Sequence, residues 1–169
     1  MKKACITIYI SCAIGLSSIG QSLAKIKSLI LKADSVILTS HSYPGMFISE
    51  KEEPDDRKLI LNGKINPKLI IEQKRLTTTA VKYLASCITR PFADKKIIED
   101  QCFNPRHTVY IFRDKTVSYI DICFECREIE CSNDIIFPIN DFDSVTWKKL
   151  EKFFHAQGFK YGFDIKNPE

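Results

Sequence analysis

Apolar residues recur at helical spacing in three segments of the chain, and capping residues mark two of them. The first helix is predicted over residues 22–33, the second after the capping residue Thr77, and the third after Asp143 or Ser144. Gly158 is predicted to end the third helix, because glycine readily adopts the left-handed conformation that terminates helices. The residues expected to face the core repeat three or four positions apart: Leu23, Ile26, Leu29, Ile30, Val81, Leu84, Ala85, Ile88, Trp147, Leu150, Phe153 and Phe154.

Two neighbouring runs of β-branched and aromatic residues predict a β-hairpin near the middle of the chain. Its strands cover residues 108–112 and 117–124, and Asp114 and Lys115 lie in the turn. Side chains of the second strand alternate between two faces, one carrying Ile120, Ile122 and Phe124 and the other Tyr119, Asp121 and Cys123. The carboxylates of Asp121 and Glu125 share a face, and we expect both to be exposed to solvent.

A short strand is predicted over residues 35–39, and a polar surface loop over residues 41–57. The Asn62-Gly63 pair is favoured in tight turns, so we expect it to join strands at residues 59–61 and 68–72. Helices at both ends of a mainly antiparallel sheet, with a central β-hairpin and a middle helix, are typical of an α+β domain.

The N-terminus has the pattern of an export signal. Two lysines supply positive charge, and residues 4–20 are uncharged and rich in small and apolar side chains. A membrane-spanning helix needs about 20 apolar residues, and serines dilute this run, so a signal peptide over residues 1–20 is favoured. Cleavage is expected before Gln21 or before Lys25.

Two alternatives to soluble export stay open. Ser11 is the small residue that lipid attachment requires before Cys12, so the chain would be membrane-anchored if Cys12 carries lipid. The other alternative is a buried N-terminal helix. Removal of residues 1–20 leaves residues 21–169, a length of 149 residues that suits one α+β domain in the periplasm or outside the cell.

Charge on the predicted mature chain is nearly balanced. The formal net charge of +4 falls to +2 when Lys2 and Lys3 are removed. No nucleic-acid partner is predicted, because such a partner requires a clustered basic surface. Five cysteines follow residue 20, and an oxidising compartment favours pairing among them: Cys87, Cys102, Cys123, Cys126 and Cys131. Because five is odd, at least one is expected to stay free, bind a metal or pair between chains.

Cys102, His107, Cys123 and Cys126 form the main candidate site, with the spacing C-x4-H, fifteen residues, then C-x2-C. A three-residue hairpin loop places His107 opposite Cys123, whereas a two-residue loop places it opposite Ile122. Only the first register brings His107 and Cys123 together directly. Cys123 and Cys126 converge only if the two residues between them form a tight turn or bulge.

Three interpretations of this group compete. In the first, all four residues hold a structural zinc ion, since zinc favours thiolate and imidazole ligands. The second, which we favour, has disulfides that join the hairpin to neighbouring segments, for example Cys87 or Cys102 to a cysteine of residues 123–131. The third makes Cys123 and Cys126 a redox pair, although such motifs usually open a helix and this pair ends a strand.

Other catalytic arrangements receive little support. Arg106 and His107 near Cys102 suggest a Cys–His nucleophile pair, but no third orienting residue is identifiable. His41 and His155 are isolated in the sequence. The chain contains no G-x-S-x-G nucleophile motif, no glycine-rich phosphate loop and no H-E-x-x-H zinc motif.

The segments CFNPRHTVYIF and IDICFEC resemble a pattern in small exported bacterial proteins of uncharacterised function, C-[FY]-x-P-R-H, then an apolar strand, then I-C-F-x-C. The likeness covers about residues 102–126 and is weaker in the helices after Thr77 and around Trp147. The residues that carry it are Cys102, Pro105, Arg106, His107, Cys123, Phe124 and Cys126. The resemblance implies that these positions form one local unit, and it implies no reaction.

The sequence favours a non-enzymatic function. We expect a compact exported domain with a binding or envelope-associated role, such as an immunity or inhibitor protein, with a structural cysteine–histidine hairpin. Its partner would be another protein, which no residue specifies. The alternative is a metal- or thiol-dependent enzyme centred on Cys102, His107, Cys123 and Cys126.

The export signal leads to a prediction about the mature N-terminus. Protein recovered from the native exported fraction should begin at Gln21 or Lys25, because small residues precede both positions. Intact-mass measurement of that fraction decides the point. Retention of Met1 contradicts cleavage, and diacylglycerol on Cys12 establishes the lipoprotein alternative instead.

Overall fold

The computed structural model describes residues 22–42, 58–90, 103–137 and 142–163. Within these ranges three helices and seven strands form an α+β fold, which confirms the predicted class. The predicted signal peptide, most of the predicted polar loop, and Cys102 lie outside the described residues.

The three helices lie close to the positions predicted from apolar spacing. α1 covers residues 22–31, α2 covers Thr78–Ile88 and α3 covers Ser144–Ala156. The hydroxyl of Thr77 caps α2 by accepting a hydrogen bond from the main-chain N–H of Ala80. None of the described helices is both long enough and apolar enough to cross a membrane.

Five of the described strands form one antiparallel sheet, in the order β4-β1-β5-β6-β7, and the other two form a small hairpin. Within the described residues β4 and β7 are therefore the two edges of the sheet. The strands are β1 (Ser35–His41), β2 (Ile60–Leu61), β3 (Lys64–Ile65), β4 (Ile70–Arg75), β5 (His107–Arg113), β6 (Thr116–Cys123) and β7 (Glu128–Cys131).

A two-residue turn connects β5 to β6. Asp114 and Lys115 have φ angles of 48° and 66°, the left-handed conformation that tight hairpin turns require at both central positions. The register that follows places His107 opposite Ile122. Of the two registers that the sequence left open, the structure has the one in which His107 and Cys123 are not directly opposed.

The sheet has two faces of different character. The helix face packs against α1, α2 and α3 and carries the apolar core residues Val36, Leu38, Val109, Ile111, Ile120 and Ile122. The helix residues that meet them include Ile30, Leu84 and Phe154, which are fully buried as predicted. The opposite face, called the polar face below, carries the buried residues Thr39, Thr108, Tyr110 and Asp121.

The Asn62-Gly63 pair forms a turn, as predicted, but it joins different strands. Its φ angles of 50° and 73° suit a tight turn, and that turn connects β2 to β3. The strand predicted over residues 68–72 is displaced to Ile70–Arg75 and pairs with β1 instead. Pro67 explains the separation, because proline has no N–H to donate and so interrupts the strand that follows the turn.

Asp143 fixes the start of α3 and links it to the end of α2. Its carboxylate accepts a hydrogen bond from the N–H of Thr146 at 2.7 Å, and Arg90 Nη1 lies 3.4 Å from the other carboxylate oxygen. Burial acts to raise the pKa of Asp143, but the hydrogen bonds from Thr146 and the charge of Arg90 outweigh it and lower that pKa. At the other end, Gly158 has a φ of 98° and ends the helix, as predicted.

Substitutions at Asp143 test this cap. Asp143→Ala removes the cap and the ion pair together, so it should lower the free energy of unfolding by about 1 to 2 kcal/mol. Asp143→Asn keeps an oxygen acceptor and loses the charge alone, which should lower it by less than about 1 kcal/mol. Denaturant unfolding measures both, with exposed Glu151→Ala on the same helix as a control that changes by less than about 0.5 kcal/mol. Equal losses for the two Asp143 variants would contradict a capping role.

Candidate functional site at the cysteine–histidine hairpin

A disulfide bond joins Cys123 to Cys126 in the turn between β6 and β7, with their Cα atoms 5.5 Å apart. The main-chain N–H of Cys126 also donates to Cys123 Sγ at 3.2 Å. The two cysteines therefore converge through a tight turn at the residues between them, as the sequence analysis required. The turn closes with Arg127 in a left-handed conformation at a φ of 55°, and Cys123 pairs with Glu128 across it.

This disulfide is enclosed by the protein. Cys123 is 1% exposed and Cys126 is 3% exposed, while Glu125 between them faces solvent. Thiol–disulfide exchange requires an attacking thiolate to reach one of the sulfur atoms, so burial disfavours it. While the bond is intact, neither sulfur is available as a thiolate ligand for zinc.

His107 lies on the other side of the sheet from Cys123. It is opposite Ile122, a residue of the helix face, and neighbouring residues of a strand point to opposite faces. No group of three or more His, Cys, Asp or Glu side chains in the described part of the chain has the arrangement of a metal site. The zinc site at Cys102, His107, Cys123 and Cys126 stays a prediction, because Cys102 lies outside the described residues.

The imidazole of His107 is surrounded by aromatic rings. Its centroid lies 5.0 Å from that of Phe124, 5.2 Å from Phe154 and 4.3 Å from Phe163, and the residue is 1% exposed. Burial lowers the pKa of His107 to about 3, outweighing the opposite effect of the nearby Tyr161 main chain. The ring is therefore neutral at physiological pH, and it acts as part of the core.

Gly162 closes the pocket around His107. It has a φ of 84°, and a Cβ atom at this position would lie 2.9 Å from His107 Cε1. A larger residue would therefore displace the imidazole or the segment that covers it.

Glu72 holds the segment after α3 against the sheet. Its carboxylate accepts hydrogen bonds from Ser40 Oγ at 2.6 Å, from the N–H of Lys160 at 3.0 Å and from the N–H of Tyr161 at 3.2 Å. Burial acts to raise the pKa of Glu72, but these hydrogen bonds lower it overall. Arg106 adds a further link, since its Nη1 donates to the hydroxyl of Tyr161 at 3.1 Å.

His41, isolated in the sequence, is a buried neighbour of Arg106. The N–H of His41 donates to the carbonyl of Arg106 at 3.0 Å, and the imidazole is 0% exposed. Burial, and then the positive charge of Arg106, lower the pKa of His41 to about 4. Neither ring nitrogen has a hydrogen-bond partner among the described residues. His155, the other isolated histidine, packs on Phe163 with ring centroids 4.1 Å apart.

The expectation that Asp121 is exposed is wrong, whereas Glu125 is exposed as expected. Asp121 is 6% exposed on the polar face, and its carboxylate accepts a hydrogen bond from Thr108 Oγ1 at 2.6 Å. Burial raises the pKa of Asp121 to about 7, and the charge of Glu130 adds to this effect. The two-residue turn is the feature from which this burial could have been inferred. The register that it produces places Asp121 directly opposite Thr108.

Cys87 and Cys131 are free, so the predicted bridge from Cys87 to a cysteine of residues 123–131 is wrong. Both of these described cysteines are poor nucleophiles. Cys87 is buried and Cys131 is half-buried, and burial raises the pKa of both thiols. For Cys131 the pKa reaches about 12, since the carboxylates of Asp121, Glu130 and Asp134 add to the effect of burial. The thiolate is the reactive form of cysteine, so neither side chain has the environment of a catalytic thiol.

Comparison with protein-family models, with curated proteins and with solved structures found no match to this chain.

The buried carboxyl group of Asp121 leads to a prediction about pH dependence. Its pKa is about 7 in the fold, above the ordinary value of 3.8. The protonated carboxyl of Asp121 therefore contributes its full stabilisation to the fold below pH 3.8, and this contribution is lost as pH rises through 7. Asp121→Asn cannot ionise, so its unfolding free energy relative to the parent should rise by up to about 1.4 kcal/mol per pH unit in this window.

Denaturant unfolding at several pH values between these limits measures the difference. Glu125→Gln is the matched control, because it removes an exposed carboxylate near the same strand end. It should change stability by less than about 0.5 kcal/mol throughout. If the difference in unfolding free energy between Asp121→Asn and the parent does not vary with pH, the buried carboxyl of Asp121 does not make stability depend on pH.

Proposed function

We propose that this chain is a small exported binding or envelope-associated domain, and that its cysteine–histidine hairpin has a structural role. The observation that carries the proposal is the burial of the chemical groups in that hairpin. His107, Cys123 and Cys126 are each 3% exposed or less, so a substrate has no direct access to them.

The state of each group supports a structural role. Cys123 and Cys126 are joined to each other, and the imidazole of His107 is enclosed by aromatic rings and neutral. General acid–base catalysis by histidine requires a pKa near the working pH and contact with the reacting group. A pKa of about 3 and an enclosed ring meet neither requirement.

Export is the second part of the proposal. It is based on the N-terminal signal pattern, and a disulfide agrees with it because such bonds persist mainly in oxidising compartments. Anchoring through a lipid on Cys12 remains the alternative to soluble export.

The enzymatic alternative requires a different state of the same hairpin. Reduction of Cys123 and Cys126 would release two thiols that could act as ligands with Cys102 and His107. Because His107 and Cys123 lie on opposite sides of the sheet, the predicted zinc site also requires a different arrangement of the hairpin. The resemblance over residues 102–126 is compatible with either state, since we propose only that it marks one local unit.

A reductant and a chelator distinguish these functions in protein purified from its native compartment without added metal. The disulfide closes a very short loop, with a sequence separation of 3 between its cysteines. Its reduction should therefore lower the unfolding free energy by about 2 kcal/mol, whereas a chelator should have no effect. The Cys123→Ser/Cys126→Ser variant should show the same loss and be insensitive to the reductant.

Metal analysis and a disulfide-reduction assay with insulin complete the test. We expect no bound zinc and no turnover. Cys87→Ser is the matched control, because it removes a buried thiol that is free within the described part of the chain. Insulin turnover that depends on Cys123 would replace this proposal with the enzymatic one. Stoichiometric zinc that is lost in His107→Ala would show that the hairpin holds a structural zinc ion in place of the disulfide.

A further inference from the structure

β7 presents main-chain hydrogen-bonding groups at an edge of the sheet. Within the described residues no strand pairs with its outer side. The N–H of Ser132 donates to the carbonyl of Tyr119 at 3.1 Å, so these two opposed residues form a hydrogen-bonded pair. The register between β6 and β7 then identifies which other residues of β7 bond to β6. Because inward and outward pairs alternate along an antiparallel ladder, Ile129 and Cys131 direct their N–H and C=O groups away from β6.

A groove of about 600 Å³ runs beside this edge. One part of its lining is apolar and consists of Phe103, Ile135, Ile136 and Phe137. Ile136 is 74% exposed, the highest exposure among the large apolar residues described. Contiguous apolar residues with polar residues at their rim are typical of interaction surfaces, and Ile136 belongs to such a lining.

The β7 strand contributes charge of a single sign to the same groove. Glu128 and Glu130 line it, and no basic side chain does so among the described residues. They lie at alternate positions of β7, so both side chains point to the polar face, while Ile129 points to the helix face. A ligand strand would therefore meet acidic groups on one side and apolar groups on the other.

We propose that this groove binds an extended segment of a partner protein, which adds to the sheet next to β7 and carries alternating basic and apolar residues. The segment would pair with the main chain at Ile129 and Cys131. Its basic residues would face Glu128 and Glu130, and its apolar residues would pack on Ile136. Strand addition of this kind takes affinity from main-chain hydrogen bonds and specificity from alternate side chains. The inference rests on the proposed binding function and names the chemistry of the partner.

The charges favour a different protein over a second copy of this chain. Antiparallel pairing of two β7 strands would place Glu128 and Glu130 of one copy beside the same residues of the other. Like charges directly opposite each other on neighbouring strands are destabilising. A basic segment removes this repulsion and replaces it with attraction.

Synthetic peptides test the proposal on the full chain by fluorescence anisotropy. The probe is Lys-Val-Lys-Ile-Lys-Val-Lys, and its matched control is Glu-Val-Glu-Ile-Glu-Val-Glu. We expect saturable binding of the basic peptide, with the acidic peptide bound at least about ten-fold more weakly. Methylation of alternate main-chain nitrogens in the basic peptide should abolish binding, because it removes the hydrogen bonds of the added strand.

Variants of the groove identify the site. Glu128→Lys/Glu130→Lys should reverse the preference, so that the acidic peptide binds more tightly than the basic one. Ile136→Asp should weaken binding of the basic peptide about ten-fold. Ile71→Asp is the matched control, since Ile71 is 48% exposed on β4, at the opposite edge of the sheet, and its substitution should change nothing. These positions are exposed or half-buried, so the variants are expected to fold.

Three results would overturn the inference: no binding by the parent, equal affinity for the two peptides, or an unchanged preference in the charge-reversal variant. A dimer in sedimentation analysis that Ile136→Asp dissociates would also overturn it, by assigning the edge to a second copy. If neither peptide binds, and the protein shows no zinc and no turnover, the proposed binding surface alone is refuted and the non-enzymatic function stands. Peptide binding together with insulin turnover supports the proposed binding surface and refutes the non-enzymatic function.

Discussion

The pairing of β5 with β6 through a two-residue turn is the constraint on which the arrangement of the site depends. A change of one residue in this register would move every side chain of one strand to the other face of the sheet. With the observed turn, His107 lies among the aromatic residues of the helix face, and Thr108 lies opposite Asp121 on the polar face. The same register separates His107 from Cys123. The disulfide and the buried histidine thus belong to opposite faces of one hairpin, and the hairpin connects the apolar core to the buried polar residues.

Three buried ionisable groups give this fold opposing responses to pH. His41 and His107 have pKa values lowered to about 4 and about 3, so the fold favours their neutral forms. Their contribution to stability is complete above the ordinary value of 6.5 and is lost as pH falls toward those lowered values. The raised pKa of Asp121 acts in the reverse direction between pH 3.8 and 7. Between about pH 4 and 6.5 the two histidines outnumber the one aspartate, so these groups together favour the fold more strongly as pH rises.

Most of the fold could be predicted from the sequence, because apolar spacing and capping residues act locally. The three helices, the central hairpin and the core residues Leu84, Leu150 and Phe154 followed from such patterns. β7 did not, since its alternating glutamates lower its β-propensity and only pairing with β6 makes it a strand. The burial of Asp121 was missed for a related reason. A carboxylate becomes buried through neighbours from other strands, and these depend on turn geometry that composition alone does not determine.

The disulfide connects the chemistry of the hairpin with the proposed binding edge. A bridge across so short a loop removes little chain entropy, about 2 kcal/mol, so it cannot be the main source of stability for the domain. Its position gives it a more local effect. It holds the turn from Cys123 to Glu128 in one conformation, and that turn determines where β7 begins and which of its residues face outward. An edge strand held by pairing on one side only is prone to fraying and to slippage of register. A covalent link at its first residues opposes both, and so keeps Glu128, Glu130 and the outward groups of Ile129 in the alternation that a ligand strand would recognise.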